Sequence, residues 1–262
     1  MPYLTWDPSQ SLYYETVGRG APVVLMHSSL TDLRQWDPQI EALSAVAQVV
    51  RYDARGYGKS SDAETAFDPA DDLIRLLDAL DIESAALVGS SMGGSVALHA
   101  ALTYPHRVNR VVLIGSGMFG FEASVQSPNA EQLERKYEQL LKADDHDALI
   151  GFFEELWLSA GNAVVPSTAR SLFWTMNRDR LNAHGVNGPE FKTIDDVQSL
   201  SALQCPITAL IGDHDTLFCQ QVVGHLQKVA SPITVERIAN AAHFPNMTQP
   251  TVVNHILQKM LA

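Results

Sequence analysis

The chain has 262 residues, 46% of them hydrophobic and 18% charged, with a formal net charge of −12 at pH 7. That length buries a sizeable core as one α/β domain, with room for an inserted subdomain. The acidic excess argues against a nucleic-acid surface and against docking on an anionic membrane, so neither is expected as a partner. No run reaches the ~20 apolar residues that a membrane helix needs. The first residues lack a basic region followed by an apolar stretch, so no secretory signal is read there. Cys205 and Cys219 are too few for a disulfide framework; reduced thiols and a cytoplasmic protein are the expectation.

Ser11 to Val17 alternates as a hairpin strand does, and Pro22 to Met26 reads as a short buried strand. Trp36 to Leu43 has helical spacing, and Ala47 to Tyr52 is a second buried strand. A glycine-rich turn follows, Asp53-Ala-Arg-Gly-Tyr-Gly-Lys-Ser60. Asp68-Pro69 starts a helix that places Leu73, Leu76, Leu77 and Leu80 on one face.

Leu87-Val88 then ends in Gly89-Ser90-Ser91-Met92-Gly93-Gly94, a G-x-S-x-G pattern centred on Ser91. Such a turn strains the serine backbone and pushes its hydroxyl out of the surface, and bulky flanking residues would clash. A tight βα turn with a capping serine is the plainer explanation of the same residues. Val96, Ala97, Ala100 and Ala101 continue as a helix, and Val108 to Ile114 is the next strand. Strands alternating with helices imply a mostly parallel sheet covered on both faces.

From about Met118 to Leu203 the patterns are helical, with no convincing strand. The alternation resumes with a strand from Pro206 to Ile211, a helix near Gln220 to Ala230, a strand from Ile233 to Ile238 and a helix from about Pro250. The predicted organisation is therefore a core of residues 1–117 and 204–262 with a helical cap of residues 118–203 over the carboxyl ends of the strands.

A serine hydroxyl is a weak nucleophile that needs a base in reach, and the base needs an acid to orient it. Of nine histidines, His243 stands out: it lies in Asn240-Ala-Ala-His-Phe-Pro-Asn246, just after the last strand, where no hydrophobic period explains it. Gly212-Asp213-His214-Asp215 offers two candidate acids, Asp213 and Asp215. As a metal site this loop is weak, because no distant ligand cluster joins it.

These motifs, in this order, resemble the α/β-hydrolase superfamily over nearly the whole chain. Within it the chain resembles small bacterial esterases and lactonases, including 3-oxoadipate enol-lactonases. Gly89–Gly94 looks like the nucleophile elbow, Asp53–Ser60 like the D-x-R-G-x-G-x-S turn, and Ala242–Asn246 like the histidine loop. Gly212-x-x-Asp215 matches the acid loop, which favours Asp215 over Asp213. The resemblance implies a catalytic set of Ser91, Asp215 and His243 acting by acyl transfer on a small-molecule ester or lactone. It implies no metal or organic cofactor. It puts one oxyanion-hole N–H on Ser29 and the other on Met92.

Where relatives usually have glycine after the histidine of the oxyanion loop, this chain has Ser28. That hydroxyl either adds a donor toward substrate or caps the following helix. Trp36, Met118, Phe119, Trp157 and Trp174 are candidate pocket contacts, with Arg34 beside Trp36. Two other functions are carried forward. Carbon–carbon bond hydrolases of the same superfamily usually have Trp after the catalytic histidine and an arginine in the cap. Here Phe244 occupies the first position, and Arg178 or Arg180 would supply the second. The third possibility is a hydrolase-like protein that binds a ligand without turning it over. Nothing in the sequence sets an oligomeric state.

Overall fold

Alternate residues of the central strands face two separate cores, and that alternation builds the molecule. Val24 and Met26 join Leu87, Leu113 and Ile211 on one face of the sheet, while Val23 and Leu25 join Val88, Val112 and Leu210 on the other. Strands covered on both faces read as continuous apolar runs, as these do. The computed structural model describes residues 2–124, 129–230 and 232–261.

Eight strands form one sheet: β1 (Tyr3–Asp7), β2 (Gln10–Gly18), β3 (Pro22–Met26), β4 (Gln48–Tyr52), β5 (Ala85–Ser90), β6 (Val108–Ile114), β7 (Ile207–Gly212) and β8 (Ile233–Ile238). Their spatial order is β1-β2-β4-β3-β5-β6-β7-β8. The β1–β2 and β2–β4 pairs are antiparallel and all later pairs are parallel. Strand β1 escaped the sequence reading because it is an edge strand whose residues alternate only between exposed and half-buried.

Helices α1 (Asp37–Ser44), α2 (Pro69–Ala79) and α3 (Met92–Thr103) belong to the first half of the sheet. Asp68 caps α2 by accepting the Ala70 N–H at 2.8 Å, with Pro69 at the first helical position, as the sequence predicts. Among the described residues three α-helices lie between β6 and β7: α4 (Ala130–Ala143), α5 (His146–Phe153) and α6 (Ser167–His184). Among the described residues of 118–203 no strand forms; Phe191 makes only an isolated bridge to Phe67. The chain closes with α7 (Leu217–Val229), α8 (Pro245–Thr248) and α9 (Pro250–Leu261). Helices α2, α3 and α7 cover one sheet face, and α1 and α9 the other. Among the described residues no helix is long and apolar enough to cross a membrane.

The segment between β6 and β7 has its own apolar cluster. Leu149, Ile150, Phe152, Phe153, Phe173 and Met176 pack with Leu30 after β3, and with Phe244 and the α8 residue Met247 after β8. The α4–α6 layer therefore sits on the end of the sheet where the parallel strands finish.

Candidate active site

Ser91 sits at the junction of β5 and α3 with φ +51° and ψ −112°. A non-glycine residue there is strained by roughly 1–3 kcal/mol, and two anchors hold it. Its N–H donates to the Ile114 carbonyl at 2.9 Å, and its carbonyl accepts from Gly94 and Ser95 at 3.0 and 3.1 Å. The flanking glycines permit the close approach: a Cβ on Gly89 would overlap the Gly93 carbonyl, and one on Gly93 would overlap Met26.

His243 and Asp215 meet beside this turn. His243 Nδ1 donates to Asp215 Oδ1 at 2.8 Å, with both side chains almost entirely buried. Asp215 Oδ1 also accepts the Thr216 N–H at 2.7 Å. Asp213 is exposed, so of the two candidate acids only Asp215 meets the histidine. Burial opposes charge on His243, but the adjacent Asp215 carboxylate and the nearby Cys219 push its pKa above the usual histidine range. Gly115 forms the floor: a Cβ there would lie 2.6 Å from the His243 carbonyl, 2.9 Å from Asp215 Oδ2 and 3.0 Å from His243 Nδ1. Gly115 directly follows Ile114, whose carbonyl holds Ser91. Ser91 is thus anchored to Ile114, and the Asp215–His243 pair packs closely over the next residue, Gly115. Among the described residues Ser91 and His243 share no hydrogen bond.

The loop after β3 reaches the same place. His27 Nδ1 donates to the Ser28 carbonyl at 2.8 Å, and His27 Nε2 accepts the Ala54 N–H at 3.0 Å. These two partners fix its tautomer and tie this loop to the Asp53–Ser60 turn. The Ser28 N–H donates to Gln35 Oε1 at 3.0 Å, and Gln35 reaches Asn246 in the histidine loop at 3.4 Å. Gln35 therefore links the two loops, a role with no signal in the sequence. Neither the Ser29 nor the Met92 N–H donates to another described residue.

An open cleft of about 520 Å³ lies alongside, walled by Ser29, Leu30, Tyr57, Tyr137, Phe153 and Trp157 among others. Ser91, Met92 and His243 are not in its wall. Trp157 connects it to His243: its ring centroid is 6.4 Å from that of His243, and its carbonyl accepts the His243 N–H at 2.9 Å. Trp157 lies in a π-helical turn, Glu154–Leu158, closed by the Ser159 N–H on the Glu154 carbonyl at 2.8 Å. Such turns are frequent at functional sites.

Other expected contacts fall elsewhere. Trp36 is 0% exposed and packs with Leu43, Val49 and Val253 in the core under α1 and α9, so it borders no pocket. Trp36 ends the helical turn Leu33–Trp36 after β3, all but Arg34 of which is buried, and that turn directs the indole into the core. Ser28 is also buried; its hydroxyl accepts the Leu30 N–H at 3.4 Å within the loop, while Asp32 caps the following helical turn. Phe119 packs edge-on against His99 and Phe191, outside the cleft wall. Met118 is buried in the core. Trp174 donates its indole N–H to Glu154 at 2.5 Å and lies under Arg178. Arg178 is exposed and paired with Asp147, whereas Arg180 is 6% exposed and lines the cleft. Arg34 pairs with Asp32 and Asp179, the latter contributed by α6.

Comparison with known proteins agrees with this architecture. Residues 21–250 match the family model described as the alpha/beta hydrolase fold. The chain belongs to the α/β-hydrolase fold family. It is 28% identical over 240 residues to 3-oxoadipate enol-lactonase 1 of Acinetobacter baylyi, covering 88% of this chain and 85% of that protein. A pimeloyl-[acyl-carrier protein] methyl ester esterase of Aliivibrio salmonicida is 33% identical over 135 residues; that match takes in 48% of this chain and about half, 51%, of the esterase. The solved structure of a thermophilic esterase from Thermogutta terrifontis superposes with a TM-score of 0.76 at 26% identity, over 98% of this chain and 95% of the other.

Proposed function

We propose that this protein is a serine hydrolase that cleaves a carboxylic ester or lactone through an acyl-enzyme. The observation that carries this reading is the buried Asp215–His243 hydrogen bond of 2.8 Å, seated on Gly115 one residue beyond the carbonyl that holds Ser91. Ser91 attacks the substrate carbonyl while His243 Nε2 takes its proton. Asp215 keeps the imidazole proton on Nδ1 and stabilises the imidazolium. The Ser29 and Met92 N–H groups hold the oxyanion; losing one such donor typically costs about 10²–10³ in kcat. His243 then protonates the leaving group, and water activated by His243 releases the acid. No step uses a metal or organic cofactor. Residues 118–203 act as the cap, with residues 1–117 and 204–262 as the core, and the apolar wall around Phe153 and Trp157 takes the acyl or ring portion.

The test is fluorophosphonate labelling and turnover of p-nitrophenyl acetate and butyrate, beside Ser91→Ala. Wild type labels and turns over; Ser91→Ala does neither. A wild type that neither labels nor hydrolyses any ester overturns the assignment and favours the ligand-binding reading.

Arg180 favours one second reading, carbon–carbon bond hydrolysis of a carboxylate-bearing vinylogous diketone. Its guanidinium donates to the Val186 carbonyl at 2.9 Å, its Nε has no partner, and among the described residues it forms no ion pair. A buried cation without a counter-ion is costly, and a substrate carboxylate in the cleft removes that cost. A diketone cleaved far faster than any ester decides for this reading.

A further inference from the structure

Beside the histidine and the acid lies a third group with metal-binding chemistry. Cys219, in the first turn of α7, is 3% exposed, and its Sγ lies 3.8 Å from His243 Nδ1 and 3.4 Å from the Gly115 carbonyl. Thr216 fixes that turn by accepting the Cys219 N–H at 3.3 Å. Asp215 spends Oδ1 on two hydrogen bonds, but its Oδ2, buried and beside the same floor, has no partner among the described residues. An unsatisfied buried carboxylate oxygen costs roughly 1–3 kcal/mol or more. A thiol serving only to fill space under the histidine explains the Gly115 contact but leaves Oδ2 orphaned.

One ligand atom each of Asp215, Cys219 and His243 lies within 4.8 Å of the others. Tetrahedral Zn²⁺ with ordinary bond lengths holds a thiolate sulfur and an imidazole nitrogen about 3.6 Å apart. The observed 3.8 Å is close to that. Thiolate, imidazole and carboxylate together suit Zn²⁺ or Cd²⁺ and suit Mg²⁺ or Ca²⁺ poorly.

We propose that Asp215 Oδ2, Cys219 Sγ and His243 Nδ1 form an inhibitory site for a thiophilic divalent cation, Zn²⁺ or Cd²⁺. The inhibition rests on the serine-hydrolase reading; the binding does not. On binding, the Cys219 thiol gives up its proton to solvent. The imidazole proton leaves Nδ1, which becomes a ligand, and Nε2 gains one, so the ring stays neutral. From the neutral imidazole the net exchange is one cation bound and one proton released, and from the imidazolium two protons are released. Nε2 then carries a hydrogen and has no lone pair for the Ser91 proton, so the metal holds the histidine in its unproductive tautomer. All three side chains are buried, so inhibition develops over time rather than on mixing.

The test titrates the chelator-treated protein with CdCl₂ and ZnCl₂, with MgCl₂ as control. Cadmium is expected to raise an ultraviolet thiolate-to-metal charge-transfer band at one equivalent, and zinc to displace it. Zinc is also expected to block ester turnover and fluorophosphonate labelling, both restored by EDTA. Cys219→Ala and Cys219→Ser remove the band and raise the inhibiting zinc concentration by at least about 10–100-fold. Cys205→Ala, distant from the histidine, keeps both responses. A band that persists in both Cys219 variants, or equal zinc inhibition of wild type and either variant, overturns the proposal. If the protein hydrolyses no ester, the functional reading fails while the cadmium band still decides the site.

Discussion

Replacing Gly115 by alanine is expected to disable the site while leaving the fold largely intact. Gly115 has φ +53°, where an L-residue costs about 1–2 kcal/mol. The added methyl carbon would lie 2.6 Å from the His243 carbonyl, 2.9 Å from Asp215 Oδ2 and 3.0 Å from His243 Nδ1. To reach ordinary contact at about 3.4 Å, these atoms must retreat by roughly 0.4–0.8 Å. A displacement approaching 1 Å in a catalytic group costs about 10²-fold in rate, or about 2.7 kcal/mol of barrier. The expected result is a kcat for p-nitrophenyl acetate about 10²-fold below wild type, with fluorophosphonate labelling slowed in parallel. Urea unfolding should show a loss of only about 1–3 kcal/mol. Gly224→Ala is the control: it lies inside α7 with nothing within 4 Å of its added carbon, so it should gain up to about 1 kcal/mol and keep wild-type turnover. A folded Gly115→Ala protein with kcat within about twofold of wild type would refute the idea that Gly115 is the floor of a catalytic pair.

Asp215→Asn should lower kcat by about 10³–10⁴-fold, while Asp213→Asn, at an exposed position, changes it little; the reverse order would reassign the acid. With neutral His243 as the proposed base, activity is expected to fall as pH drops through its pKa. Asp215 raises that pKa, so the acid limb of kcat/KM should move to lower pH in Asp215→Asn. Trp36→Ala should cost about 3–5 kcal/mol in urea unfolding without altering KM, whereas Trp157→Ala should raise KM by about 10–100-fold. Its backbone carbonyl still holds His243, so kcat should fall by less. His99, bonded to Asp196 at 2.8 Å and Asp68 at 3.2 Å, has its charging opposed by burial but a pKa raised overall by these two carboxylates. Its stabilisation is fully present below about pH 6.5 and lost as pH rises through the raised folded value. The stability gap between wild type and His99→Gln should therefore be wider at about pH 5.5 than at about pH 9; equal gaps in urea titrations would discount the charged pair.

Much of the frame was written in the chain itself. Strands β3 and β6 occupy the residues that the apolar runs predict, because strands largely buried on both faces leave an apolar signature, and the edge strand β8 is legible from its alternating residues. The elbow at Ser91 was legible for a related reason: a strained strand-to-helix turn tolerates few residue types, so the glycines mark it locally. Periodicity and turn chemistry act over a few residues, and what they specify can be read from a few residues.

The remainder depended on contacts between distant segments. Asp213 and Asp215 differ by two positions on one loop, and only the packing of β7 against β8 buries one beneath His243 and leaves the other in solvent. Arg178 and Arg180 likewise share one helix, yet one is exposed and paired while the other is buried beside the cleft. Trp36 carried an aromatic signature equally suited to pocket or core, and the core claimed it. Cys219 is 24 residues from His243 in sequence and 3.8 Å away in space. Sheet order and register bring such pairs together, and these are set by the summed burial of all eight strands rather than by any local motif.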